Sequence, residues 1–167
     1  MDSILKYVIS GILIIVGIFA IVLFYNDLQN REEAQMYEEN RLSLSPEEVI
    51  EYYYEFMIDR NLRGVRLTVT EWNYDNSYWR GRNIVHLELL SIEEADSDYW
   101  LALIDDERWL ASFHLENVYD MRVFLATRNI QRREEWGFND GNVEFFHILV
   151  RETTESPWMI HASGVNI

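Results

Sequence analysis

Residues 143–164 read VEFFHILVRETTESPWMIHASG. The stretch admits two readings, and the choice between them decides the fold. Glu155, Ser156 and His161 lie close together and suggest a hydrolase. A serine nucleophile, however, needs a strained elbow such as G-x-S-x-G, a base and an oxyanion hole. Ser156 has no flanking glycine, and serine before proline is an ordinary turn choice. The physical pattern is that of a hairpin. Val143–Val150 is a near-continuous apolar strand, Thr153–Pro157 is a charged connector, and Trp158, Ile160 and Ala162 alternate along a second strand. Pro157 falls at the strand start, where a missing N–H costs little. This alternation predicts that Trp158, Ile160 and Ala162 share a core-facing side, with His161 pointing the other way.

Working back along the chain, Asn83–Ile92 and Val118–Arg128 show further strand patterns, and Asn139-Asp140-Gly141 supplies a turn before the third strand. Asp98–Phe113 permits either a short helix or a lid over the sheet. Ser45-Pro46-Glu47-Glu48 is a helix start: serine at N-cap, proline at N1 and glutamate at N3 make a capping box. Val49, Ile50, Tyr53, Phe56 and Met57 then follow at helical spacing and predict one apolar stripe. Leu62–Trp72 is ambiguous between strand and a second short helix, with Gly64 a candidate terminator of the first.

The N-terminus is of another kind. Tyr7–Tyr25, YVISGILIIVGIFAIVLFY, has no charged side chain. At ~1.5 Å per residue it spans roughly 28 Å, close to the ~30 Å hydrocarbon core of a bilayer. A run this long, followed by Phe24, Tyr25, Asn26 and Asp27 rather than small residues, favours an uncleaved anchor over a secretory signal. Lys6 on its N-terminal side points to a cytoplasmic N-terminus and an external domain. Asn26–Arg41 is polar nearly all round and suits a solvated helical extension or a mobile stalk, with too few apolar residues for a coiled coil. The division is therefore an anchor at 1–25, a polar juxtamembrane stalk at 26–44 and a folded domain at 45–167.

The 167 residues carry a formal net charge of −15 and no cysteine. A surface so acidic repels phosphate backbones, which argues against nucleic-acid binding. Cysteine absence removes disulfides, thiolate metal sites and the attachment point of a bacterial lipoprotein.

The capped helix, the strand ending in LLSIEE, and the terminal pair FFHILVRETTESPWMIHASG together resemble the DUF4829 family. The resemblance covers Ser45–Ile167 and is most specific at Ser156-Pro157-Trp158, Ile160 and Gly164. It implies an α+β, NTF2-like (cystatin-like) cone, with N-terminal helices packed on a curved, mainly antiparallel sheet. It also implies a location outside the membrane in Gram-positive bacteria, where members are often lipoproteins. This chain would use its transmembrane helix instead.

Candidate site residues follow from that cone. Tyr53, Trp100, Trp109, Phe145 and Trp158 could line a cavity or fill it, and six tryptophans in a small domain suit a ligand pocket or an aromatic docking face. His147 and His161 fall on adjacent strands and would form a ligand-contacting or pH-sensitive pair if they shared a face. His86, His114, His147 and His161 show no metal-ligand spacing, and the acids Asp105, Asp106 and Glu107 lack calcium-loop spacing. No metal or cofactor is expected. The sequence thus leads to a membrane-anchored, non-catalytic module of the cell envelope that binds a small ligand or a protein. The alternatives are a small cavity enzyme and an envelope assembly or scaffold protein.

Overall fold

The computed structural model describes residues 2–76, 84–96, 118–133 and 140–165. Among the described residues four helices precede four strands: α1 (Asp2–Asn40), α2 (Pro46–Ile58), α3 (Leu62–Thr68), α4 (Glu71–Asn76), then β1 (Ile84–Glu94), β2 (Asp120–Arg132), β3 (Gly141–Arg151) and β4 (Met159–Val165). The Asp98–Phe113 segment, Trp100 and Trp109, His114 and Asn139 lie outside the described residues. The fold is α+β, with an antiparallel sheet in the order β1-β2-β3-β4.

α1 is continuous from the apolar run through the polar segment, and it is long and apolar enough to cross a membrane, with that run wholly exposed. The segment read as a solvated helical extension or a mobile stalk is helical to Asn40, and one stripe of it is buried rather than solvated. Ala34 and Tyr37 are both buried, and Tyr37 packs edge-on against Tyr52 and Phe56 of α2, at centroid distances of 5.2 and 5.7 Å. Asn61 Nδ2 donates to the Asn30 carbonyl at 2.8 Å. A single tyrosine and a small alanine at i, i+3 spacing therefore dock α1 on the domain, a stripe too narrow to register as amphipathic.

The capping box forms as the sequence dictates: Glu48 N–H donates to Ser45 Oγ, and Ser45 N–H to the Glu48 carboxylate. Two details of the α2 reading are corrected. The fully buried tyrosine of the stripe is Tyr54, while Tyr53 is half-buried. The helix ends not at Gly64 but at Ile58, with Asp59 as its C-cap and Arg60 next in the left-handed conformation at φ 58°. Asn61 N–H bonds the Phe56 carbonyl and Arg60 N–H the Met57 carbonyl, the pattern of a Schellman cap. Gly64 sits inside α3 because the Phe56 ring presses on it: a Cβ there would lie 2.4 Å from the ring. Leu62–Thr68 is thus helix, and Val69 then makes a parallel bridge to Ile160 at the β4 edge.

Both faces of β3 are buried, which explains its unbroken apolar run. On the helix side Phe124, Ala126, Ile130, Leu149 and Ile160 pack with Val49, Ile50, Tyr54 and Met57. On the opposite side Val123, Ile148, Val150 and Ala162 form a second cluster with Ala95, flanked by Trp72 and Phe146. The expected alternation of β4 breaks between these layers. Ile148 pairs with Ala162 but Leu149 pairs with Ile160, so His161 is the extra residue of a β-bulge. Ile160 and Ala162 consequently face opposite sides, where simple alternation put them together.

Candidate functional site

The bulge at His161 returns Ser163 to the helix side of the sheet, directly opposite His147. There a buried polar chain assembles across three elements. Tyr54 Oη of α2 lies 2.9 Å from His147 Nε2 of β3, and His147 Nδ1 lies 2.7 Å from Ser163 Oγ of β4. Tyr54 and His147 are each 1% exposed. Tyr53 and Tyr54 both meet the imidazole edge-on, at 5.9 and 5.5 Å.

Arg128 on β2 borders the chain. Its guanidinium lies over the Phe145 ring at 3.5 Å and over the Tyr54 ring at 5.8 Å. Tyr54 and Ser163 thus engage both imidazole nitrogens, one of which donates and the other accepts in the neutral ring. Burial, aided by the Arg128 charge, pushes the His147 pKa down to about 3. Burial also pushes the Tyr53 and Tyr54 hydroxyls up, against the opposing effect of Arg128. The imidazole is therefore neutral near pH 7, and a base so weak takes a proton poorly there.

His161 belongs to different surroundings. Its ring stacks on Trp72 of α4 at 5.0 Å and 14°, and its Nδ1 lies 3.1 Å from Thr70 Oγ1. Thr70, in the connector between α3 and α4, and Asn73 of α4 also clamp the bulge: Thr70 N–H and Asn73 Nδ2 both donate to the Ile160 carbonyl. His147 and His161 are thus drawn to separate partners rather than paired. Trp158 is buried at the other end of the sheet, beneath the Arg151 guanidinium at 4.6 Å, which also binds Asp120 at 2.7 Å. Of the residues singled out in the sequence, the fold brings Tyr53, Phe145 and His147 around Arg128 and keeps His161 and Trp158 apart from them.

Ser156 serves its turn. Its hydroxyl lies 2.8 Å from Thr153 Oγ1, and its N–H donates to the Thr153 carbonyl. Among the described residues no group of three His, Cys, Asp or Glu is arranged to hold a metal ion. Sequence reasoning missed Tyr54, Ser163 and Arg128. Tyr54 carried a signal, since it lies four residues after Ile50 and so on the buried stripe; Ser163 carried none, because its orientation depends on the bulge.

A second feature lies where α1 meets the α2–α3 corner. Asp27, Asn30 and Arg31 of α1 and Arg60, Asn61, Leu62 and Arg63 of the corner enclose a cleft of about 440 Å³. Arg31 pairs with Asp27 at 2.8 Å within it.

These features define the class: an α+β domain of helices on a four-stranded antiparallel sheet, fixed to the end of a membrane-length helix. The chain belongs to the DUF4829 family, described as a domain of unknown function, which it matches over residues 47–164. No curated protein and no solved structure matches it.

Proposed function

We propose that the protein is a single-pass membrane protein whose NTF2-like domain stands outside the membrane of a Gram-positive cell and works as a non-catalytic binding module. The observation that carries this reading is the union of α1 with the domain. One helix provides an exposed apolar run of membrane length and then, through Asn30, Ala34 and Tyr37, a docking stripe for α2 and α3. A domain held this way stays at the membrane surface in a fixed orientation, which suits capture of a ligand or partner there.

The binding reading is favoured over a cavity enzyme by the state of the histidines. His147 has both ring nitrogens engaged and a pKa far below neutrality, and His161 is stacked and bonded to Thr70. The NTF2-like assignment draws support from the capped helix packed across one face of an antiparallel sheet.

Protease shaving of intact cells tests the topology: the domain is expected to be cleaved without lysis, and its protection would overturn the external placement. Crosslinking in intact membranes is expected to trap a discrete envelope partner or ligand. Turnover of a substrate lost on His147→Gln would overturn the non-catalytic reading.

A further inference from the structure

The net charge of −15 argues against an attraction to anionic surfaces, yet arginines gather at one place on the molecule. The cleft between α1 and the α2–α3 corner is lined by three guanidiniums, Arg31, Arg60 and Arg63, and by one carboxylate, Asp27; Arg31 and Arg63 also border an adjoining cleft with Glu38 and Glu39, so Arg60 is the guanidinium that belongs to this cleft alone. Burial, reinforced by the charge of Glu33, raises the pKa of Glu55 and Asp59 on a neighbouring flank, and none of these three acids lines the cleft. Among the described residues, Arg60 and Arg63 make no ion pair.

The position of this cleft is set by the fold. α2 begins just after α1 ends and runs back along it, so that Asn61 reaches the Asn30 carbonyl. Asn30 is five residues beyond Tyr25, the last residue of the apolar run, a rise of roughly 7 Å. The polar layer of a bilayer is about 5–8 Å thick on each side. The cleft therefore opens at headgroup depth when the apolar run spans the hydrocarbon. Leu28, Ile58 and Leu62 are exposed near it, as suits side chains at an apolar–polar boundary.

Arg60 adds a second observation. It occupies the left-handed position of the α2 cap, where glycine is the usual residue and any other costs stability. The left-handed corner thus sets a guanidinium beside Arg31 and Arg63 in the lining of the cleft.

We infer that this cleft binds the phosphate of an anionic phospholipid headgroup, with Arg60 and Arg63 as the principal ligands and Arg31 shared between Asp27 and the phosphate. Planar guanidinium forks match phosphate oxygens in pairs. The bound lipid holds the α2–α3 corner against the membrane and so fixes the orientation of the whole domain. This inference rests on the membrane-spanning reading of α1.

The test uses the full chain in nanodiscs of equal phosphatidylcholine and phosphatidylglycerol, with retained lipid measured by native mass spectrometry. Phosphatidylglycerol is expected to be enriched on the wild type. The double variant Arg60→Gly, Arg63→Gln is expected to lose that enrichment roughly thirtyfold, taking each surface cation at its usual worth near an anionic membrane. Arg60→Lys with Arg63→Lys should retain most of it. Removing a distant exposed arginine, Arg122→Gln, should change nothing. Equal enrichment in the wild type and the glycine–glutamine variant would overturn the proposal, as would an equal loss on Arg122→Gln. Complete displacement of the lipid by inorganic phosphate would show a free-phosphate site instead and would overturn the lipid assignment. Folding is controlled internally, because Arg60→Gly relieves backbone strain and should raise Tm. Alkaline carbonate extraction separates the two readings: release of the wild type sinks the membrane anchor and this inference with it. Retention of wild type and variant without a difference in enrichment sinks only the lipid site.

Discussion

Tyr54 Oη lies 2.9 Å from His147 Nε2 across ninety-three residues of sequence, and this bond ties α2 to the centre of the sheet. The ring's other nitrogen reaches Ser163 at 2.7 Å, so one imidazole links the second helix and the last two strands. Tyr54→Phe keeps the aromatic packing but strands Nε2 in a dry interior. A buried polar atom left without its partner costs about 1–3 kcal/mol, so chemical denaturation should show a loss of that size. A change under about 0.5 kcal/mol would mean that the bond contributes nothing net.

The same histidine makes stability depend on pH. Folded, its pKa is about 3; its ordinary value is 6.5. Below 6.5 the unfolded chain binds a proton that the folded chain refuses, so the contribution of neutral His147 is full above that pH and is lost as pH falls toward 3. The slope is about 1.4 kcal/mol per pH unit. The difference between wild type and His147→Gln in denaturation between about pH 5 and 6.5, above most carboxylate titrations, isolates this contribution from that of the other three histidines. His147→Gln, which keeps a donor and an acceptor but does not titrate, should flatten the curve in that window; an unchanged slope would refute the assignment.

Gly64→Ala separates propensity from packing. On propensity alone, alanine inside a helix gains roughly 1 kcal/mol over glycine. In this protein the new methyl would lie 2.4–2.6 Å from three atoms of the Phe56 ring, and the ring is held between Tyr37 and Tyr52. Overpacking of this kind costs about 1–3 kcal/mol. The variant should melt below the wild type, and a higher Tm would show that the corner relaxes freely.

Tyr37 offers the reverse case. It is 1% exposed, and among the described residues nothing hydrogen-bonds its hydroxyl, whose pKa burial raises. Tyr37→Phe removes a buried polar group without opening a cavity and should be neutral or stabilising by up to about 1 kcal/mol. Tyr37→Ala instead deletes the contact that docks α1 and should destabilise the domain by about 3–5 kcal/mol. Thermal melts of the two variants, moving in different directions, would establish that the ring and not the hydroxyl secures the helix.

Arg60→Gly tests the α2 cap by itself. An L-residue in the left-handed region costs about 1–2 kcal/mol relative to glycine, and the Schellman bonds to Phe56 and Met57 use only backbone atoms. The substitution should raise stability by about 1 kcal/mol in detergent, read as an upward shift of Tm. A fall would mean that the Arg60 side chain itself holds the corner.

Much of the architecture is local and was legible. The charge-free run Tyr7–Tyr25 sets the membrane-length helix, because its character depends only on consecutive side chains. The Ser45–Glu48 box fixes the start of α2, because both of its hydrogen bonds close within one turn. The strand after Asn139-Asp140-Gly141 and the hairpin through Ser156-Pro157 likewise follow from apolar periodicity and turn residues; Gly141 takes the left-handed φ of 107° that such a turn favours. What the sequence could not supply is any relation that depends on register or on a long closure. The bulge at His161 reverses the facing of every residue after it, because side-chain direction in a strand has period two. That reversal places Ser163 on His147 and sends Ala162 to the second core. Tyr54 rather than Tyr53 is buried because the rotation of α2 is set by its packing on the sheet, and consecutive tyrosines differ by only about 100° on the helix. Arg31, Arg60 and Arg63 are scattered along an acidic chain, and only the return of α2 along α1 gathers them into one cleft. The sequence by itself determined the membrane-length run, the start of α2 and the strands of the last hairpin; the tertiary structure decided which side chains meet, because meeting is a property of pairs distant in the chain.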